Sequence, residues 1–93
     1  MGLYSVQNFQ LYDNYPNPCN PTTVISYNLY NSTNVKIEIY NTLGQRISEL
    51  VNLYQPAGFH RTSFDASGLP NGIYIYKIST PYYSESKKMI LVK

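Results

Sequence analysis

The sequence predicts an all-β domain, built as an antiparallel β-sandwich of about seven strands. Apolar and polar residues alternate with a period of two along most of the 93 residues. Turn-forming residues interrupt this alternation at intervals of about 8–12 residues, which is typical of a sandwich. Eleven tyrosines also favour strands, because a ring can pack on a sheet while its hydroxyl meets water.

The first half of the chain supplies four predicted strands, at residues 9–12, 22–30, 35–41 and 45–52. Residues 31–34 and 42–45 are predicted turns, with Gly44 as the residue of positive φ. In the fourth strand Ile47, Leu50 and Val51 do not share a period of two, so we expect a bulge or a short helical turn.

The second half supplies three more strands, at residues 59–66, 73–80 and 83–93, with a predicted loop at 53–58. The strand at 73–80 begins apolar on both faces and is therefore expected to be central. Ile90 and Val92 are predicted core residues of the last strand. The other predicted core residues alternate along four strands: Ile25, Tyr27, Leu29, Val35, Ile37, Ile39, Phe64 and Tyr74.

The predicted architecture is immunoglobulin-like, but one cysteine and no tryptophan leave it without the disulfide and Trp of antibody domains. The stretch "NYPNPCNPTT" carries Pro16, Pro18 and Pro21 just ahead of a long strand. Proline fixes φ and donates no backbone hydrogen bond. We therefore expect an extended, polyproline-like segment that crosses from one sheet to the other along the sandwich edge.

Composition excludes several functional classes. A net charge of +2 with 13% charged residues is too weak for a nucleic-acid-binding face. No apolar run approaches the ~20 residues of a membrane-spanning helix, and the first residues do not form a signal peptide. The single Cys19 and the single His60 are expected to pack, and the five acidic residues are scattered. We predict no enzyme activity, no cofactor and no metal site.

Three surface features have alternative interpretations. The tyrosines are expected to pack on sheet faces, although β-sandwiches also use such rings to stack sugars. Asn31-Ser32-Thr33 fits a glycosylation acceptor, but a plain turn is the simpler interpretation. Lys87 and Lys88 either protect an exposed sheet edge or belong to a recognition surface, where both would be exposed.

Four stretches in this order carry a family resemblance: "FQLYDNYPNPCNPTTVISYNL", "VKIEIYNTLGQRISELV", "QPAGFHRTSFDASGLPNGIYIYKIST" and "SKKMILVK". Together they resemble the type A C-terminal sorting domain of the type IX secretion system, also called the Por secretion system C-terminal domain. The resemblance covers residues 9–93. The chain departs from the family pattern at Cys19, where the family usually has Phe.

The resemblance implies a non-catalytic signal domain at the C-terminus of a larger secreted protein in bacteria of the Bacteroidota type. The cargo would pass through the periplasm, and an outer-membrane translocon would recognise the domain. A surface sortase would then remove it, leaving the cargo at the cell surface or secreted. The family's motifs map here onto these partner-recognition residues: Pro16, Asn17, Pro18, Gly72, Tyr74, Lys87, Lys88 and Lys93.

The resemblance sets the boundaries of the domain at residues 9–93, with residues 1–8 as an introduced start or a linker from the upstream cargo. Two alternatives remain open. A structural module of the flagellar hook-capping type has a similar sandwich and a similar "PNP.NP" motif. A carbohydrate-binding sandwich would need several coplanar exposed rings with polar side chains beside them.

Overall fold

The computed structural model describes residues 6–93, so residues 1–5 of the predicted start or linker lie outside the described part. Seven strands form two antiparallel sheets in residues 6–93. In chain order they are β1 (Phe9–Leu11), β2 (Thr22–Leu29), β3 (Thr33–Tyr40), β4 (Arg46–Gln55), β5 (Gly58–Asp65), β6 (Gly72–Ser79) and β7 (Ser84–Leu91). The predicted all-β class and strand number are confirmed.

One sheet has the strand order β1-β2-β5 and the other has the order β4-β3-β6-β7. The β6 strand lies between β3 and β7, as its two apolar faces predict. All eight residues of the predicted shared core, from Ile25 to Tyr74, are at most 6% exposed. Fully burying a large apolar side chain contributes about 1.5–3 kcal/mol, so these alternating residues stabilise the packing of one sheet against the other.

The irregular pattern of the fourth strand arises from two β-bulges. Val51 pairs with Ile37 but Glu49 pairs with the next residue of β3, which leaves Leu50 as an extra residue. A second shift makes Ile47 the extra residue. Each bulge reverses the inward and outward alternation, which is why the apolar residues of β4 share no period of two.

Three local predictions are wrong. The loop predicted at 53–58 is mostly strand, because β4 runs to Gln55 and only Pro56 and Ala57 separate it from β5. Ile90 and Val92 are 43% and 49% exposed, whereas Met89 and Leu91 are buried. The proline segment bends at residues 16–18 and 20–21 instead of running extended. Within residues 6–93 there is no helix long and apolar enough to cross a bilayer.

Candidate functional site

The proline segment joins the edges of the two sheets. Tyr15 and Val24 exchange backbone hydrogen bonds of 3.0 and 2.9 Å, which ties the segment to β2. Four residues later, the Cys19 N–H donates to the Ile90 carbonyl at 2.7 Å, and the Val92 N–H donates back to Cys19 at 3.1 Å. The predicted crossing along the sandwich edge is therefore confirmed. Cys19 is fully buried there, and burial raises the pKa of its thiol.

A buried polar cluster holds the start of this crossing. The Tyr76 hydroxyl of β6 accepts the Asn14 N–H at 2.9 Å and donates to the Tyr12 carbonyl at 2.9 Å. Asn14 Nδ2 donates to Thr23 Oγ1 at 3.0 Å, and that hydroxyl donates to the Pro16 carbonyl at 2.9 Å. Burial raises the pKa of Tyr76 to about 12. Sequence reasoning missed this cluster, since Asn14 and Tyr76 lie 62 residues apart.

The three motif residues of the proline segment lie at the surface. Pro16 and Pro18 are exposed, with the Pro16 carbonyl turned toward Thr23. Asn17 is exposed too, but its Oδ1 accepts the Ile90 N–H at 3.0 Å. The side chain of Asn17 thus takes the place of a neighbouring strand at the edge of β7.

The Gly72 and Tyr74 motif lies beside the end of the chain. Gly72 pairs with Leu91 and has a φ of +151°, a conformation that L residues rarely adopt. A β-carbon at this position would therefore be strained even though space is open around it. Tyr74 is only 6% exposed, and its hydroxyl donates to the Pro70 carbonyl at 2.7 Å. Its ring is thus unavailable to a partner and serves to hold the loop before β6.

The C-terminal lysine closes the same end of the sandwich. The Lys93 N–H donates to Asn71 Oδ1 at 3.1 Å, and its Nζ donates to the Ser67 carbonyl at 3.1 Å. Residues from three parts of the chain therefore meet within one end of the four-stranded sheet: the proline segment, the loop before β6, and the terminus. This end is the candidate functional site.

Lys87 and Lys88 lie on opposite faces of β7. Lys87 lies on the same face of β7 as the buried Met89, has a side-chain exposure of 30%, and forms an ion pair of 3.3 Å with Asp13. Lys88 is exposed on the outer face, opposite Ile75 of β6. The expectation that both lysines are exposed is wrong for Lys87, because the strand alternation directs it toward the segment that follows β1.

An ionic cluster lies on the outer face of the same sheet. Arg46 contacts Glu38 at 3.1 Å and Glu49 at 3.5 Å, and the Tyr40 hydroxyl donates to Glu38 at 2.9 Å. Burial alone would raise the pKa of Glu38. The hydrogen bonds from Tyr40 and Arg46, with the charges of Arg46 and Lys36, outweigh it and lower that pKa. This cluster gives the outer face of the sheet a polar patch.

Chemical machinery is not apparent in the described part of the chain. Residues 6–93 contain no group of three His, Cys, Asp or Glu side chains that would hold a metal ion. His60 stacks on Tyr27 with ring centroids 5.5 Å apart and contacts the Pro56 carbonyl at 2.8 Å. Two exposed rings, Tyr12 and Phe59, are tilted by 52°. They are therefore not the coplanar platform that a sugar would need.

Comparisons with known proteins agree with this picture. A family model described as "Secretion system C-terminal sorting domain" matches residues 13–93. No curated protein gives a significant match. Among solved structures, dimeric latent PorU from Porphyromonas gingivalis is similar, with a TM-score of 0.71 and 20% identity. The match covers 90% of this chain and 9% of that one, so it shows a shared fold with a small part of a much longer protein.

Proposed function

The chain belongs to the secretion system C-terminal sorting domain family, whose model matches residues 13–93, and we propose that it is the non-catalytic export signal of a larger cargo protein. The family match is the observation that carries the proposal. In this account the type IX secretion machinery recognises the folded domain, and the cargo reaches the cell surface or the medium. The domain itself provides a surface rather than chemistry.

The end of the four-stranded sheet is the part we assign to recognition. Pro16, Asn17 and Pro18 present an exposed segment held at both ends, so little ordering entropy is lost when a partner binds. Lys88 and Lys93 add positive charge beside it. Three further motif residues would act by positioning this surface: Gly72, Tyr74 and Lys87.

Tyr74 supports the loop before β6 through its bond to Pro70, and Gly72 allows that loop to enter the strand. Lys87 pairs with Asp13, next to the buried Asn14. Exposed ion pairs contribute at most about 1 kcal/mol, so Lys87 orients the segment more than it stabilises it.

The proposal also covers the route of the cargo and the removal of the domain. The cargo passes through the periplasm in transit, an outer-membrane translocon binds the domain, and a surface sortase removes it. Asn8 belongs to the folded unit, since it is buried and its backbone carbonyl accepts the Tyr30 N–H at 2.9 Å. We therefore place the junction with the cargo at Gln7 or upstream of it.

A fusion experiment tests the proposal. The whole chain is joined to the C-terminus of a periplasmic reporter and expressed in a bacterium with a type IX system and in a translocon deletion of that strain. We expect surface-exposed reporter only in the competent strain. If a sortase acts, the surface reporter is smaller than the fusion by about the 10.7 kDa of this chain. A reporter that stays periplasmic in both strains contradicts the sorting function and favours a structural module of the hook-capping type.

A further inference from the structure

The outer face of the four-stranded sheet becomes apolar toward the candidate site. Ile75 lies opposite Lys88, and Ile73 lies opposite Ile90. Ile73, Ile90 and Val92 are 46%, 43% and 49% exposed. We name this group, Ile73, Ile75, Lys88, Ile90 and Val92, the isoleucine face. Single exposed apolar residues are normal on a protein surface, but a contiguous group beside charged residues marks an interaction surface.

A groove of about 580 Å³ opens beside the isoleucine face. One wall is the end of β3 with its turn, including Asn41 and Thr42, and the other is the loop from Leu69 to Asn71. Ile47 and Ile73 contribute apolar surface to it. Interface hot spots are typically large side chains that fill such pockets. The groove therefore suits side chains that protrude from a protein partner better than the smooth surface of a bilayer.

Lys88 is the charged member of the isoleucine face. The ion pairs found within residues 6–93 belong to Arg46 and Lys87, so the charge of Lys88 is unpaired there. A symmetric dimer through this face would bring two copies of the same patch together and place lysines near lysines. Charge complementarity instead requires carboxylates around the apolar anchor of the partner.

The isoleucine face is also remote from the point where a cargo is attached. Asn8 Oδ1 accepts the Thr80 hydroxyl at 2.8 Å, so the incoming chain lies beside the end of β6. Ile73 lies near the beginning of that strand. The strand advances about 3.3 Å per residue, which separates the two ends by more than 20 Å. The face thus lies at the opposite end of β6 from the point of cargo attachment.

We propose that the isoleucine face docks onto a protein of the export machinery that presents apolar side chains flanked by carboxylates. The proposal rests on the proposed sorting function, because it names the chemistry of the partner for the same site. It adds Ile73, Ile75 and Ile90 to the recognition residues, none of which the motifs single out.

Export of the reporter fusion measures whether the isoleucine face is needed for recognition. The test variants are Ile90→Ser, Ile73→Ser and Lys88→Glu. The matched controls are Phe59→Ser, an apolar residue exposed by 57% on the other sheet, and Lys36→Glu, a lysine of the same sheet away from the face. Melting temperatures of the purified chains identify variants that do not fold. Flotation with vesicles containing anionic phosphatidylglycerol tests a membrane as the alternative occupant.

Loss of one hot spot weakens an interface at least about tenfold, and we expect the surface fraction of the folded test variants to fall accordingly. The controls should be exported like the parent. Export of all three test variants at the parental level overturns the docking face while leaving the sorting function intact. Equal loss in the controls also overturns it. Vesicle binding that disappears in Lys88→Glu assigns the face to lipid and overturns the protein partner. If a serine variant unfolds, Lys88→Glu decides the result.

Discussion

Replacement of Gly72 by alanine isolates the effect of one backbone angle on stability. Gly72 has a φ of +151°, and a β-carbon built on it meets no atom within 4 Å. Any loss of stability therefore comes from the backbone conformation and not from a collision. Holding a non-glycine residue in such a sparsely populated region costs about 1–3 kcal/mol.

Gly68 provides a matched control in the preceding loop. It also has open space around the position of a β-carbon, but its φ is not positive. Alanine at a compatible position stabilises a protein by about 0.4–1 kcal/mol, because it restricts the unfolded chain. The two substitutions are chemically identical, yet we expect opposite signs.

Thermal unfolding followed by circular dichroism provides the assay. For a domain of this size, 1 kcal/mol changes the Tm by roughly 4–8 °C. We expect Gly72→Ala to melt at least about 4 °C below the parent, and Gly68→Ala to melt at or slightly above it. If the two variants melt at the same temperature, the conformation of Gly72 is not the source of its importance.

Three further predictions concern the polar groups. Tyr76→Phe removes a hydroxyl that bonds two backbone groups and should cost about 1–3 kcal/mol in urea unfolding, whereas Tyr30→Phe, at an exposed ring, should be neutral. Because the pKa of Tyr76 is raised to about 12, the folded chain keeps a proton that the unfolded chain loses above about pH 10. Stability should therefore fall between about pH 10 and 12. The fall should be less steep in Tyr76→Phe, which has no hydroxyl to titrate. The pKa of Glu38 is lowered in the folded chain, so its charge contributes to stability above its ordinary pKa of 4.5, and this contribution is lost as the pH falls through the pKa of the folded state. Stability should therefore decrease in acid. Glu38→Gln should make that decrease shallower than Glu49→Gln does.

Each of these predictions has a contradicting result. Equal urea midpoints for the parent and Tyr76→Phe would show that the buried cluster does not hold the crossing segment. An alkaline limb that is unchanged in Tyr76→Phe would assign the loss of stability to other groups. An acid limb of the same slope in Glu38→Gln and the parent would remove Glu38 as the titrating carboxylate.

The alternation of residues predicted the strands and most of the core, but it did not determine the facing of β7. Near its end that strand has apolar residues on both faces, with Met89 and Leu91 on one face and Ile90 and Val92 on the other. Only the pairing of Tyr74 with Met89 decides which set is buried, and that pairing is a long-range contact. The same pairing places Lys87 on the inner face of β7 and Lys88 on the outer face.

The candidate site was predictable only as a set of motifs. Its residues come from separate parts of the chain, and the hydrogen bonds that gather them join Asn17 to Ile90 and Asn71 to Lys93. Polar side chains such as these have no periodic signal in a sequence. Tyr74 illustrates the limit, since the sequence predicted it both as a core residue and as a recognition residue, and the structure buries it.

The most direct test of the sorting function is the fraction of a reporter that protease reaches on intact cells. The whole chain is fused to the C-terminus of the reporter, and the same reporter without the chain is the control. Both are measured in the competent strain and in its translocon deletion. We expect an accessible reporter only when the chain and the translocon are both present. An accessible fraction that does not depend on the chain, or does not depend on the translocon, would contradict it.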